Sequence, residues 1–126
     1  MDDSTAQALG TDRVIDITTV GRRSGEPRRI EIWFHRVDGR FYITGTPGRP
    51  RAWYANLVDE PAFTFHLKES ATADLAAHAR PVTDPAERRA VLTGILAGIP
   101  ELAHGDGRTS EDWFADSPLV EVTFDA

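Results

Sequence analysis

The chain has 126 residues, a net charge of −6, no cysteine and 40% hydrophobic residues. This length fits one domain that can bury a core without disulfides or a structural metal. The lack of cysteine excludes disulfides, thiolate metal sites and cysteine nucleophiles, and it favours a reducing compartment, so we expect a cytoplasmic location. No apolar run approaches the roughly 20 residues of a membrane-spanning helix, and the acidic first residues do not form a signal peptide.

The first part of the chain predicts paired strands. Residues 1–11 are small and polar, so we expect a flexible segment or a short helix there, followed by a single domain over 12–126. The β-branched run 12–20 predicts the first strand. Alternation over 30–35 predicts the second strand, with two faces formed by Ile30, Ile32 and Phe34 and by Glu31, Trp33 and His35. An Asp-Gly turn then predicts a hairpin over 28–45.

The rest of the chain alternates short helices with further strands. A Gly- and Pro-rich loop leads into a predicted helix over 51–58, and apolar runs predict strands at 62–67 and 73–82. Asp84, Pro85 and Glu87 form a helix start, while residues 100–117 are expected to be mostly irregular. A closing strand is predicted at 119–124. The pattern predicts a mainly β (α+β) fold, a six-stranded antiparallel barrel with short flanking helices.

Arginine is concentrated in one part of an acidic chain. Residues 21–51 contain eight arginines and three acidic residues, a net charge of +5. The turn 21–29 alone contains four of these arginines, next to glycines and a serine, a combination that can hold a phosphate. A second pair, Arg49 and Arg51, precedes the helix start near Trp53, where free amides favour anions. These features predict a small anionic ligand and exclude a long nucleic acid.

Several catalytic classes lack their motifs. The four histidines, His35, His66, His78 and His104, show no metal-ligand spacing, so we expect no metal site. The chain also contains no Gly-x-Ser-x-Gly elbow, which makes a serine hydrolase an unfavourable hypothesis. Redox chemistry would require a cofactor, with an aromatic wall such as Trp33 beside its flat ring.

The order of motifs between Ile15 and Leu92 resembles the deazaflavin-dependent nitroreductase family of actinobacteria. The resemblance is carried by Gly-Arg-Arg-Ser-Gly at 21–25, Gly-Thr-Pro-Gly at 45–48 and Trp-Tyr-Ala-Asn-Leu at 53–57. It implies the split β-barrel fold that flavin-binding pyridoxamine-phosphate oxidases share. It also implies an oxidoreductase in which reduced coenzyme F-420, an 8-hydroxy-5-deazaflavin, gives a hydride from C5 to a small hydrophobic acceptor, namely a quinone, nitroaromatic or enone.

The resemblance implies specific site residues. The coenzyme would be bound by Arg22, Arg23, Ser24, Gly25, Arg28, Thr46, Pro47, Gly48, Arg49, Arg51, Trp53 and Asn56. Glu31 and Trp33 would lie on the substrate side of the ring. No residue is assigned as catalytic, although Tyr54 and His35 are candidates for a proton donor.

The sequence departs from the family pattern at two places. Pro47 stands where relatives have a lysine, so Arg49 or Arg51 would have to compensate, and residues 100–113 lack the tyrosines that shape the substrate pocket of relatives. Two alternatives therefore stay open: a non-catalytic barrel that binds a fatty acid, a haem-like or another anionic apolar ligand, and an FMN-dependent reductase. A homodimer and peripheral contact with a membrane also stay open.

Overall fold

A computed structural model describes residues 2–100 and 108–125 of the chain. Within them it contains a seven-stranded antiparallel sheet in the order β2-β1-β5-β6-β7-β4-β3. The strands are Val14–Val20 (β1), Pro27–Trp33 (β2), His35–Val37 (β3), Arg40–Thr44 (β4), Ala62–Leu67 (β5), Ala73–Pro81 (β6) and Leu119–Phe124 (β7). The helices are Asp3–Thr11 (α1), Ala52–Asp59 (α2), Pro85–Ala97 (α3) and Ser110–Asp116 (α4). The predicted barrel is confirmed, with seven strands instead of six.

The additional strand arises because the chain breaks at Phe34. β2 pairs with β1, from Val14 opposite Trp33 to Val20 opposite Pro27, whereas β3 pairs with β4. Phe34 is only 1% exposed and packs edge-on against Phe65, with ring centroids 5.1 Å apart. Burial of this ring turns the chain inward, so that β2 and β3 become the two edges of the sheet. The predicted hairpin over 28–45 is therefore wrong, and only the β3–β4 part of it forms.

Helix α1 contributes to the core of the barrel. Ala8 and Leu9 are 0% and 4% exposed and pack in the main hydrophobic cluster. Arg36 fixes the end of the helix, because its Nη1 donates hydrogen bonds of 2.8 Å to the carbonyls of both Leu9 and Asp12. Of the two expectations for this segment, the short helix is present in the structure.

A second hydrophobic cluster lies between the sheet and helices α3 and α4. It includes Leu92 and Ile95 of α3 and Trp113 of α4, all 3% exposed or less. The predicted start of α3 is confirmed, since the Asp84 carboxylate accepts a 2.9 Å hydrogen bond from the amide of Glu87. The expectation of an irregular stretch is wrong for α4, which Thr109 begins with a capping box. Residues 101–107, which include His104, lie outside the described part of the chain.

Candidate functional site

The arginine-rich turn between β1 and β2 is closed by its own backbone. The Gly21 amide donates to the Glu26 carbonyl and the Gly25 amide to the Gly21 carbonyl, both at 2.8 Å. Ser24 Oγ accepts a 3.1 Å hydrogen bond from the Glu26 amide. A Cβ at Gly21 would lie 2.7 Å from this Oγ, and Gly25 has a φ of 72°. Glycine at both positions lets the turn close tightly, with its arginine side chains directed outward.

Asn56 of α2 holds this turn in place. Its Oδ1 accepts a 3.1 Å hydrogen bond from the backbone amide of Arg22, and its Nδ2 donates a 3.1 Å hydrogen bond to Thr19 Oγ1. Asn56 is 5% exposed and Thr19 is 2% exposed. Both polar ends of the amide are thus used within the protein. Asn56 thus positions the turn and also lines the pocket beside it, and the direct coenzyme contact that the motif implies stays a prediction.

The turn and the start of α2 enclose a pocket of about 390 Å³, called here the arginine-turn pocket. Its charged lining comes from Arg22, Arg23 and Arg28, and Ala52 and Trp53 contribute the first turn of the helix. Helix α2 begins without a side-chain cap, so its first amides are available to a ligand. Three guanidinium groups and free helix amides together are a combination that can bind an anion.

The eight arginines of residues 21–51 divide into two groups. Arg29 forms a 2.9 Å ion pair with Asp16, Arg40 forms a 3.6 Å ion pair with Glu121, and Arg36 caps α1. The remaining five form no ion pair with any residue of 2–100 or 108–125, and these are Arg22, Arg23, Arg28, Arg49 and Arg51. The unpaired group is also the group predicted to bind a ligand. The positive charge of the segment is thus uncompensated where an anion would bind.

A second pocket of about 260 Å³, called here the tryptophan pocket, lies beside the loop after β4. Its walls include Trp33, His35, Ile99 and Trp113, and Thr46, Arg49 and Arg51 provide polar groups. Arg51 Nη2 donates to the carbonyl and the Oγ1 of Thr46, at 3.2 and 2.6 Å. Burial and the nearby charge of Arg49 lower the pKa of Arg51.

His35 is the titratable group of the tryptophan pocket whose pKa is shifted most strongly. Its burial, together with the charges of Arg13 and Arg36, lowers its pKa to about 4. The imidazole is therefore neutral at physiological pH and can offer one N–H donor and one acceptor nitrogen. Tyr54, the other candidate proton donor, instead lines a cavity on the far side of Arg49 and Arg51.

The structure separates the predicted residues into distinct places. One group of predicted residues meets in the arginine-turn pocket, namely Arg22, Arg23, Ser24, Arg28, Trp53 and Asn56, and a second group meets in the tryptophan pocket, namely Thr46, Arg49, Arg51 and Trp33. Gly25 lies in the turn, and Pro47 and Gly48 lie in the loop after β4.

Glu31 lies apart from both pockets. It shares a strand face with Asp16, its cross-strand neighbour, and forms an ion pair with Lys68, which also pairs with Asp16 at 2.6 Å. The interpretation of Glu31 as part of a ring-side wall is therefore not supported by its position. Trp113 was missed as a wall residue, because a separation of 80 positions from Trp33 leaves no local signal.

Other kinds of site find no support in the described residues. Within 2–100 and 108–125, no three side chains of metal-ligand type are placed to hold a metal ion. No helix of these residues is long and apolar enough to cross a membrane.

A family model described as F420H(2)-dependent quinone reductase matches residues 3–104. No curated protein matches the chain. A solved structure described as an F420 reductase is 17% identical, with a TM-score of 0.69, and the match covers 100% of this chain and 97% of that one. A conserved hypothetical protein from Mycobacterium tuberculosis is 16% identical, with a TM-score of 0.68 and coverage of 100% and 82%.

The same architecture occurs in the pyridoxinephosphate oxidase family. A protein of the pyridoxinephosphate oxidase family from Clostridium acetobutylicum is 15% identical, with a TM-score of 0.64 and coverage of 95% of this chain and 80% of that one. At this identity the likeness concerns the fold. It supports the split barrel predicted from the sequence.

Proposed function

Since the chain belongs to the F420H(2)-dependent quinone reductase family, it is an F-420-dependent oxidoreductase, and we propose that its two pockets divide the work. The arginine-turn pocket binds the phosphate and acidic tail of the coenzyme. The tryptophan pocket receives the edge of the deazaflavin ring and the acceptor. When bound, the reduced coenzyme supplies the hydride, and the protein binds and orients both partners.

The observation that carries this proposal is the set of unpaired arginines. Arg22, Arg23 and Arg28 line one pocket together and have no ion-pair partner among the described residues. A phosphorylated ligand with carboxylates would provide the missing negative charge through forked hydrogen bonds. The residues present therefore fit a phosphorylated deazaflavin.

The tryptophan pocket fits a flat conjugated molecule. Gly45 lies against the guanidinium of Arg51, since a Cβ there would be 3.3 Å from Arg51 Cζ. Trp33 is 41% exposed at the edge of β2, whereas Ile99 and Trp113 are buried. These apolar walls exclude water from the reacting atoms, and hydride transfer depends mainly on such positioning.

The neutral His35 has a limited role in this scheme. With a pKa of about 4, the imidazole of His35 is neutral at neutral pH, so it is not an imidazolium that could give a proton to the product. Its N–H can still donate a hydrogen bond to an acceptor oxygen. The acceptor class is a quinone, nitroaromatic or enone, whose oxygen atoms such a donor would orient. Protons for the product come from bound water.

We also propose that the protein forms a homodimer. A solved structure that is 18% identical, with a TM-score of 0.64, is described as a domain-swapped dimer. In this chain β2 lies at a sheet edge, and every residue of it except Ile32 is exposed. Edge strands of this kind can pair with a second copy. A homodimer is therefore expected, and light scattering after gel filtration would detect it.

The test of the coenzyme site is a pair of charge-removing variants. Arg23→Gln removes a pocket arginine, whereas Arg89→Gln removes an exposed arginine that pairs with Glu111. A charge-assisted hydrogen bond contributes about 1.5–3 kcal/mol, so Arg23→Gln should weaken F-420 binding roughly 10- to 100-fold. Arg89→Gln should leave binding unchanged. Equal affinities for both variants would refute the assignment of the turn.

A further inference from the structure

Arg49 and Arg51 form a charged group that lies apart from the pocket proposed for the coenzyme tail. They line the tryptophan pocket, which shares no lining residue with the arginine-turn pocket. The tail already has three unpaired arginines in its own pocket. Two further guanidinium groups therefore remain beside the aromatic walls where the acceptor is expected.

The guanidinium of Arg51 is held in place with one donor unused. Its Nη2 bonds Thr46 twice, and its plane lies against the backbone of Gly45. Its Nε is buried and has no hydrogen-bond partner in the described residues. A buried N–H without an acceptor destabilises the protein, so the position of this arginine carries a cost in stability.

The charge of this pair is also uncompensated. No carboxylate of the described residues forms an ion pair with Arg49 or Arg51. Asp116 lines another cavity together with these two arginines, but it makes no ion pair with either of them. Burial lowers the pKa of Arg51, and repulsion by the charge of Arg49 lowers it further. An anion between the two guanidinium groups would relieve this repulsion, whereas a neutral carbonyl would not.

The remaining walls favour an apolar ring. Trp33, Ile99 and Trp113 provide apolar surface, and His35 is uncharged at neutral pH. The volume of about 260 Å³ is slightly below the roughly 300 Å³ at which pockets for drug-sized ligands begin. One or two fused rings fit such a space.

From these observations we infer that the acceptor of this enzyme is a quinone, nitroaromatic or enone that carries a carboxylate group. Its carboxylate lies between Arg49 and Arg51, its ring lies beside the tryptophans, and its quinone, nitro or enone group takes up the hydride. This inference rests on the proposed function, because it treats the tryptophan pocket as the acceptor site. It assigns Arg49 and Arg51 to substrate selection instead of coenzyme binding.

The direct test compares two ligands of one shape without coenzyme. We would titrate 2-naphthoate and the uncharged 2-naphthalenemethanol, followed by quenching of tryptophan fluorescence. The naphthoate should bind at least about tenfold more tightly, as expected for a carboxylate on a fixed guanidinium. Arg49→Gln should abolish most of this preference, and Arg23→Gln should keep it. Arg49 is exposed, so its replacement leaves the core intact.

Arg51→Met provides a second variant, and its folding is checked by thermal unfolding because it loses both bonds to Thr46. Equal affinity of the two ligands for the wild type would overturn the inference. A preference that depends on Arg23 and not on Arg49 would overturn it as well. The proposed function fails separately, if the wild type does not bind F-420. With coenzyme present, 4-nitrobenzoate should have a kcat/KM at least about tenfold above that of its methyl ester, and equal values would contradict the inference.

Discussion

The hydrogen bonds of Asn56 connect the arginine-rich turn to helix α2, so Asn56→Leu should affect stability and coenzyme binding together. Leucine keeps the volume of the side chain but removes both of its 3.1 Å hydrogen bonds. The Arg22 amide and the Thr19 hydroxyl then lose their partners, and Thr19 is only 2% exposed. An unsatisfied buried group costs about 1–3 kcal/mol, so we expect a loss near 2 kcal/mol. For a chain of this length, that corresponds to a fall in Tm of about 5–10 °C.

The binding effect should depend on the part of the coenzyme that is present. In the proposed assignment the turn contacts the phosphate and tail, so at temperatures below the Tm of the variant Asn56→Leu should weaken the binding of F-420 at least about tenfold. The coenzyme fragment that lacks the phosphate and tail should bind wild type and variant equally. Thr19→Val is the matched control, because it removes one bond of Asn56 but leaves the bond to Arg22.

Two outcomes would refute this reasoning. If Asn56→Leu lowers Tm but binds F-420 normally, the turn does not need its anchor to bind the coenzyme. If the variant weakens the binding of the coenzyme and of the tail-free fragment equally, Asn56 affects the binding of the ring and not that of the phosphate and tail. Asn56→Asp keeps an oxygen that can accept from the Arg22 amide, but its negative charge lies beside the pocket, so it should also weaken the binding of an anionic coenzyme.

Three further predictions concern pH, packing and salt. The pKa of His35 is lowered from 6.5 to about 4 in the folded protein, so the unfolded chain binds more protons between these two pH values. The free energy of unfolding should therefore fall as the pH drops through this window, by at most about 3 kcal/mol. His35→Gln should flatten the decline in Tm between pH 6.5 and 4.5, and parallel curves for the wild type and the variant would contradict the pKa shift. Gly94→Ala would place a Cβ 2.9 Å from Val37 Cγ1, so it should lower the free energy of unfolding in urea by about 1–3 kcal/mol. Gly10→Ala is the control, because a Cβ at Gly10 has no atom within 4 Å and therefore causes no steric clash. Affinity for F-420 should fall as salt rises, and Arg23→Gln should reduce this dependence; a salt-independent Kd would exclude an ionic site.

The sequence specified those elements whose signals are local. Asp84, Pro85 and Glu87 lie within four positions, and they start a helix where predicted. The arginine turn is likewise local, because Gly21, Gly25 and Pro27 determine its shape. Its pocket could be anticipated since the unpaired arginines lie in one short segment.

Other features depend on contacts between distant segments. The break at Phe34 follows from packing against Phe65, and alternation alone extended the strand through it. Alternation also could not show that Glu31 would pair with Lys68 of the segment after β5. Asn56 fits a binding motif, but only the fold shows that both ends of its amide are already occupied.

The central claim is that the unpaired arginines select a phosphorylated deazaflavin. The most direct measurement is a titration of the wild-type protein with F-420 and, in parallel, with FMN, followed by tryptophan quenching at low and high salt. The account predicts that F-420 binds more tightly than FMN and that its affinity falls with salt. Tighter binding of FMN, or no binding of F-420, would contradict it.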